Sequence, residues 1–95
     1  KVIIIQNAMN KNVNVKIRYN SKQEILNKEI PPVKIVKFID KNLFYLISIE
    51  NGELAYYRIN RIIDIKLTKT KSIVSDEDLK LLDIFDYGYH TCNRH

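Results

Sequence analysis

The sequence contains few of the residues on which several classes of protein depend. Its 95 residues include one cysteine, so an internal disulfide cannot form and disulfide-stapled domains are excluded. Two glycines leave no glycine-rich loop to hold phosphates. The apolar run at residues 2–5 is shorter than a signal-peptide core of about 7 residues, and no run approaches the roughly 18 residues of a membrane span. We therefore expect a cytoplasmic domain without membrane contact.

Groups for catalysis are also scarce. The sequence has no histidine that would activate a nucleophile and no pair of carboxylates predicted to share a face. Its length allows one small core, and sixteen isoleucines within a 45% apolar composition suffice to build it. We predict a non-catalytic domain without a cofactor. Because the chain begins at Lys1 rather than at methionine, we expect a module of a larger protein.

Charge divides the chain into two parts. Residues 1–71 contain 14 Lys and Arg against 6 Asp and Glu, a net charge of +8, whereas residues 72–95 contain 2 against 5, a net charge of −3. We predict a basic β domain over residues 1–71 and an acidic helical appendix over residues 72–95. Clustered Lys and Arg favour a polyanionic partner. The alternative is that this charge only keeps the surface hydrated.

Strand periodicity dominates residues 13–68. Apolar and polar residues alternate at 13–20 and 63–68, as in half-buried strands. Asn51-Gly52 predicts a tight hairpin between strands at 43–50 and 53–60. Further strands are expected at 24–30, ended by two prolines, and at 33–39. We predict a mainly β fold, a small barrel of four or five antiparallel strands.

Two short helices complete the predicted fold. Residues 2–10 place apolar side chains at helical spacing, which favours an N-terminal helix. Ser75 followed three residues later by Asp78 predicts a helix cap, and apolar residues at helical spacing then extend a helix over residues 76–86.

Two motifs on the predicted hairpin and beyond it resemble the WYL domain family. That family has a Trp-Tyr-Leu triplet, followed by an aromatic-Arg-Leu-Asp-Arg-Ile strand and preceded by a Tyr and a Pro. The matching positions are Phe44-Tyr45-Leu46, Tyr57-Arg58-Ile59-Asn60-Arg61-Ile62, Tyr19, and Pro31 or Pro32. Phe44 stands where the family has Trp, and Ile59 and Asn60 are close substitutes. The resemblance covers residues 2–70.

The resemblance implies an Sm-like, SH3-type β-barrel that binds nucleotides or single-stranded nucleic acid and catalyses nothing. WYL domains occur in bacterial transcription regulators, in phage-defence and CRISPR-linked proteins, and at the C-terminus of some Pif-type helicases. Here no helix-turn-helix precedes the motifs and an acidic tail follows them, so the resemblance does not identify the parent protein.

The candidate binding residues combine cations with aromatic rings. Arginine binds phosphate at two points and stacks on bases, and an aromatic ring contributes about 1–3 kcal/mol per stacked base. The predicted groove is lined by Lys16, Arg18, Arg58 and Arg61, with Tyr45 or Tyr56 as the stacking surface. Alternatively, Arg58 and Arg61 pair with Glu53 or Asp64. An exposed ion pair of this kind contributes about 0–1 kcal/mol to stability. A separate alternative places the ring of Tyr45, on the central strand, in the core, with its hydroxyl reaching the rim.

A small cluster at the C-terminus contains His90, Cys92 and His95. These types can bind a soft metal, but three of them within six residues do not match the spacing of structural zinc sites. We predict no metal site and interpret the cluster as a frayed chain end or as part of a truncated next element.

Three functions stay open. The first is an accessory module that binds single-stranded nucleic acid, DNA rather than RNA, within a larger protein such as a helicase. The second is a nucleotide- or oligonucleotide-sensing domain of a transcriptional or defence-system regulator. The third is an interaction module whose acidic helix docks on domains of the parent protein. The spread of charge over several strands favours the first, and the sequence does not fix the oligomeric state.

Overall fold

The computed structural model describes residues 1–86, which form a small β-rich domain with a short helix near each end. The helices are α1 (Val2–Lys11) and α2 (Asp76–Leu79), and a 3-10 segment, Lys80–Asp86, follows α2. The strands are β1 (Val13–Asn20), β2 (Ile25–Ile30), β3 (Pro32–Phe38), β4 (Leu43–Glu50), β5 (Glu53–Arg58) and β6 (Ile62–Lys71). Short 3-10 turns, Ile39–Lys41 and Ile59–Arg61, precede β4 and β6.

The strands form two antiparallel sheets of three strands each. Sheet A has the order β2-β1-β6 and sheet B the order β3-β4-β5. The mainly β prediction is confirmed, and a strand lies at each of the six ranges predicted to be strands, so the predicted count of four or five for the whole fold is too low. Strand β2 is an edge strand in which only Ile30 is buried.

The main core lies between the inner faces of the two sheets. Apolar side chains at every second position of the strands point into this core, because successive side chains of a strand point to opposite faces of its sheet. Helix α1 adds Ile5 and Ala8, both fully buried, and so confirms the predicted N-terminal helix. The buried members of this core are Ile5, Ala8, Val13, Val15, Ile17, Tyr19, Ile30, Leu46, Tyr57, Ile59, Ile62 and Ile65.

Strand β4 is central in sheet B and is buried on both faces. Leu46 points into the main core, whereas Ile47 joins a second cluster on the outer face with Val36 and Phe85. Residues 43–50 thus form a strand, as predicted, and this strand is covered on both faces. The buried Ser48 hydroxyl donates to the Pro31 carbonyl at 2.8 Å, which satisfies both groups.

Local turn signals decide where the strands end. Asn51 (φ 54°) and Gly52 (φ 78°) both have positive φ, so β4 and β5 join through the tight turn that the sequence predicted. Strand β5 ends at Arg58, and the predicted strand to residue 60 is wrong there. The turn Ile59–Arg61 carries the chain from sheet B into sheet A.

The C-terminal segment begins as predicted and then changes form. Ser75 and Asp78 make a reciprocal capping box at the start of α2. The α-helix lasts one turn, and the predicted continuation to residue 86 is a 3-10 segment instead. None of the helices within residues 1–86 is long and apolar enough to cross a membrane. The His90, Cys92 and His95 cluster lies outside the described residues.

Candidate functional site

The outer face of sheet B brings an arginine beside a row of aromatic rings. Tyr45 lies directly opposite Arg58 across β4 and β5, and Tyr56 precedes Arg58 by two residues on the same strand. Opposed residues and residues two apart project from one side of a sheet. Phe38, on β3, completes the row because its ring packs against Tyr45. We call the surface formed by Phe38, Tyr45, Tyr56 and Arg58 the Tyr45–Arg58 face.

The aromatic rings of this face touch one another in sequence. The ring centroids of Phe38 and Tyr45 are 4.9 Å apart, and those of Tyr45 and Tyr56 are 6.4 Å apart at 82°. Both spacings suit favourable ring contacts. Tyr56 keeps 42% of its surface exposed, and burial of the remainder raises the pKa of its phenol. A neutral ring is therefore accessible to a stacking ligand at physiological pH.

Arg58 has no partner for its charge within residues 1–86. Its side chain is half-buried, and its Nε is buried without a hydrogen-bond acceptor. In the same part of the chain, neither Arg58 nor Arg61 has a carboxylate within 4.0 Å, and the ion pair found there joins Lys28 and Glu50. The pairing with Glu53 or Asp64 that the sequence left open is therefore not formed. Among residues 1–86, the charge of Arg58 is therefore not neutralised by a carboxylate.

The strands of sheet B place cations but no carboxylate on this outer face. Lys34 lies opposite Ile47 and shares the face with Arg58. The other strand residues on the face are Val36, Phe38, Leu43, Tyr45, Ile47, Ile49, Leu54 and Tyr56. A surface with two cations and several rings suits a ligand that is both anionic and aromatic.

The outer face of sheet A holds the other predicted cations of β1. Lys16 lies opposite Glu29 on β2 and Lys66 on β6, in an open groove of about 420 Å³. Arg18 lies opposite Asn27 and Asp64, which line the same groove. Carboxylates alternate with the cations here, so the attraction for a polyanion is weaker than the lysine and arginine count alone indicates.

The predicted site is thus divided. Arg58, Tyr45 and Tyr56 share the Tyr45–Arg58 face, whereas Lys16 and Arg18 lie on sheet A. The inner faces of the sheets pack together, so their outer faces point away from each other and cannot line one groove. Arg61 lies in the turn after β5, half-buried and outside both sheets.

A polar cluster that the sequence patterns did not predict joins the two sheets. Lys28 Nζ, from sheet A, donates to Glu50 Oε1 at 2.6 Å and to the Tyr57 hydroxyl at 2.9 Å, and the Tyr57 hydroxyl donates to Glu50 Oε2. The hydrogen bond to Glu50 is the main cause that raises the pKa of Lys28. Burial, and then the bond to Glu50, raise the pKa of Tyr57 to about 12. The sequence contains one signal of this cluster, because Lys28 takes a position on β2 whose side chain points inward.

Tyr19 connects this cluster to the candidate site. Its ring meets that of Tyr57 edge to face, with centroids 5.1 Å apart. Its hydroxyl accepts the backbone N–H of Arg58 at 3.1 Å. These contacts fix the inner side of β5 to sheet A at Arg58, whose side chain lies on the outer face.

Comparison with known proteins gives a fold similarity. No family model and no curated protein matches the sequence. Among solved structures, proteasome accessory factor B/C (PafBC) of Arthrobacter aurescens matches with a TM-score of 0.65 at 15% identity, over 75% of this chain and 11% of that chain. PafBC contains a WYL domain. The fold of this chain is similar to that of the matched part of PafBC. At this identity the match concerns the fold alone, and the chain spans about a tenth of PafBC.

The WYL-like motifs occupy distinct environments in the structure. Tyr19, Tyr57 and Arg58 contact one another through the ring pair and the hydrogen bond to the Arg58 backbone. In the triplet, Leu46 is buried in the core and Tyr45 is half-buried on the outer face. Phe44 is 49% exposed, and Lys37 Nζ lies 5.4 Å from its ring centre. The motif thus combines core packing with exposed rings.

Proposed function

We propose that this chain is a non-catalytic, WYL-like sensing module of a larger regulatory protein and that it binds single-stranded nucleic acid on the Tyr45–Arg58 face. The proposal rests on the environment of Arg58. Its guanidinium, which has no ion-pair partner within residues 1–86, lies in register with Tyr45 and two residues from the exposed Tyr56, on strands that place no carboxylate on that face. This pairing of a cation with stacking surfaces suits a phosphate and its adjacent base.

Single strands fit this chemistry better than duplexes. Bases in a duplex are stacked inside the helix, whereas those of a single strand can rotate out onto an aromatic ring. A regulatory role is favoured over a helicase accessory role because PafBC, whose fold is similar, is a regulator with a WYL domain. We further propose that the two sheets represent the Sm-like, SH3-type barrel expected of such domains. The cytoplasmic location, the preference for DNA over RNA and the helicase link stay predictions.

The test is a titration of the full chain with labelled oligonucleotides. Fluorescence anisotropy should detect single-stranded DNA and RNA of about 4 to 20 nucleotides at about 50 mM salt, with weaker binding at about 200 mM. Duplex of the same sequence should bind less tightly. Absence of binding to any single strand at low salt would overturn the proposal.

Two arginines provide a matched pair of variants. Arg58→Ala and Arg18→Ala remove the same charge from opposite outer faces of the domain. Arg58→Ala should weaken binding about tenfold, equivalent to about 1.4 kcal/mol, whereas Arg18→Ala should weaken it only about twofold. Equal losses would show that the Tyr45–Arg58 face is not the site. Because Arg58 is half-buried, its variant should first be shown by circular dichroism and thermal unfolding to remain folded.

Tyr56 separates stacking from charge. Tyr56→Phe keeps a ring and should retain binding, whereas Tyr56→Ala should weaken it by a factor of about 5 to 150, which corresponds to the loss of one stacked base. If Tyr56→Ala binds like the unmodified chain, bases do not stack on this ring and the proposed binding mode is wrong.

A further inference from the structure

The Tyr45–Arg58 face is partly covered by the chain's own C-terminal segment, residues 75–86. Phe85 is 1% exposed and packs with Val36 and Ile47 on the outer face of sheet B. Leu82 packs against the same cluster. The Phe85 ring lies 6.2 Å from that of Tyr56, at 66°. Phe85 therefore occupies space beside the ring on which a base is proposed to stack.

The chemistry of the segment is similar to that of the proposed ligand. Residues 75–86 contain five acidic residues and one lysine, and Phe85 stands between Asp83 and Asp86 in the sequence. A single-stranded nucleic acid likewise presents an aromatic base between anionic phosphates. The segment is thus suited to the same cationic, aromatic surface, and the two cannot occupy the space beside Tyr56 together.

From this overlap we propose that residues 75–86 are an internal competitor, which must leave the Tyr45–Arg58 face before a single strand binds it fully. This inference rests on the proposed function and adds its regulation.

The segment is held in a way that permits release. Residues 72–75 connect it to β6 without helix or strand, and α2 is a single turn that contains no buried residue. Leu79 and Ile84 remain 42% and 36% exposed, so docking depends mainly on Phe85 and Leu82. Strands β4 and β5 pair with each other independently of the segment. Release therefore need not unfold the sheets.

The experiment compares variants of the full chain in an anisotropy titration with labelled oligo-dT of about 12 nucleotides. Phe85→Ala should tighten binding about tenfold if the face is uncovered in about one molecule in ten, because the apparent dissociation constant scales inversely with the competent fraction. The control is Ile84→Ala, which truncates the exposed neighbour and should leave affinity unchanged. Should Phe85→Ala fail to fold, Leu82→Ala removes a less buried contact and should tighten binding by a smaller factor.

A second readout tests the cover without any ligand. Nitration of Tyr56, quantified by peptide mass spectrometry, should be faster in Phe85→Ala than in the unmodified chain, and amide exchange in β4 and β5 should stay slow. Equal nitration rates in Phe85→Ala and the unmodified chain would overturn the proposal that residues 75–86 are an internal competitor. Equal affinities of folded Phe85→Ala and unmodified chain would also overturn it while leaving the proposed function intact. If Tyr56 is nitrated faster in Phe85→Ala but neither chain binds oligo-dT, residues 75–86 do cover Tyr56. The proposal that this face binds nucleic acid is then wrong.

Discussion

Tyr57→Phe is expected to reveal how much the inter-sheet cluster contributes to stability. The substitution removes one hydroxyl and leaves the ring against Tyr19. That hydroxyl accepts a hydrogen bond from Lys28 and donates one to Glu50. Bonds to charged groups contribute about 1.5–3 kcal/mol each, but the Lys28 and Glu50 side chains keep 37% and 24% of their surface exposed, so water replaces part of the loss. We expect a loss of about 1–2 kcal/mol at neutral pH.

The difference in stability between the unmodified chain and Tyr57→Phe should depend on pH. The pKa of Tyr57 is raised to about 12 in the folded protein, above the value of about 10 for an unfolded tyrosine. The folded state therefore holds the proton more tightly. Its stabilising contribution is complete below pH 10 and is lost as the pH rises towards 12. Two pKa units set an upper limit of about 3 kcal/mol, and partial exposure of the cluster reduces this to about 1–2 kcal/mol.

Urea unfolding followed by circular dichroism, at several pH values between about 8 and 11.5, measures this dependence. The unmodified chain should lose stability faster than Tyr57→Phe above pH 10, so the difference between them should shrink towards zero. Tyr56→Phe is the control, because burial alone raises the pKa of Tyr56 and no carboxylate bonds its hydroxyl in the described residues. A difference for Tyr57→Phe that stays constant over this range would refute the reasoning.

Two further substitutions test individual features of the fold by urea unfolding. Gly52→Ala should destabilise by about 1–2 kcal/mol through backbone strain alone, because φ is +78° and the added Cβ meets nothing within 4 Å. A loss below about 0.3 kcal/mol would contradict the positive φ. Ser48→Ala should destabilise by about 1–3 kcal/mol, since it leaves the Pro31 carbonyl without its donor. An unchanged midpoint would mean that water or a shifted backbone satisfies that carbonyl.

Local sequence patterns predicted most of the secondary structure because each depends on neighbouring residues alone. The Asn51-Gly52 turn, the alternation of β1 and the Ser75 cap are of this kind. The 3-10 form of Lys80–Asp86 was not predictable in this way, because the helical spacing of its apolar residues does not distinguish a 3-10 from an α-helical turn. Local patterns define the elements but not their packing.

The division of the predicted site arises from packing that no local pattern records. Arg18 stands at a polar position of an alternating strand and Arg58 at the end of a hairpin strand, and the sequence does not say that these strands belong to different sheets. Lys28 was missed for the opposite reason: it occupies an apolar-side position between Leu26 and Ile30, where a charge needs a partner from another sheet. Both errors concern contacts between residues distant in sequence.

The adjacent tyrosines of β5 show why hairpin register controls function in this domain. Tyr57 points inward and connects the two sheets, whereas Tyr56 points outward beside the exposed part of the candidate site. A slip of one residue in the pairing of β4 with β5 would exchange their roles and turn Arg58 into the core. The Asn51-Gly52 turn fixes that pairing, with Glu50 opposite Glu53 and Tyr45 opposite Arg58. Two residues on the turn thus decide which tyrosine stabilises the domain and which is available to a ligand.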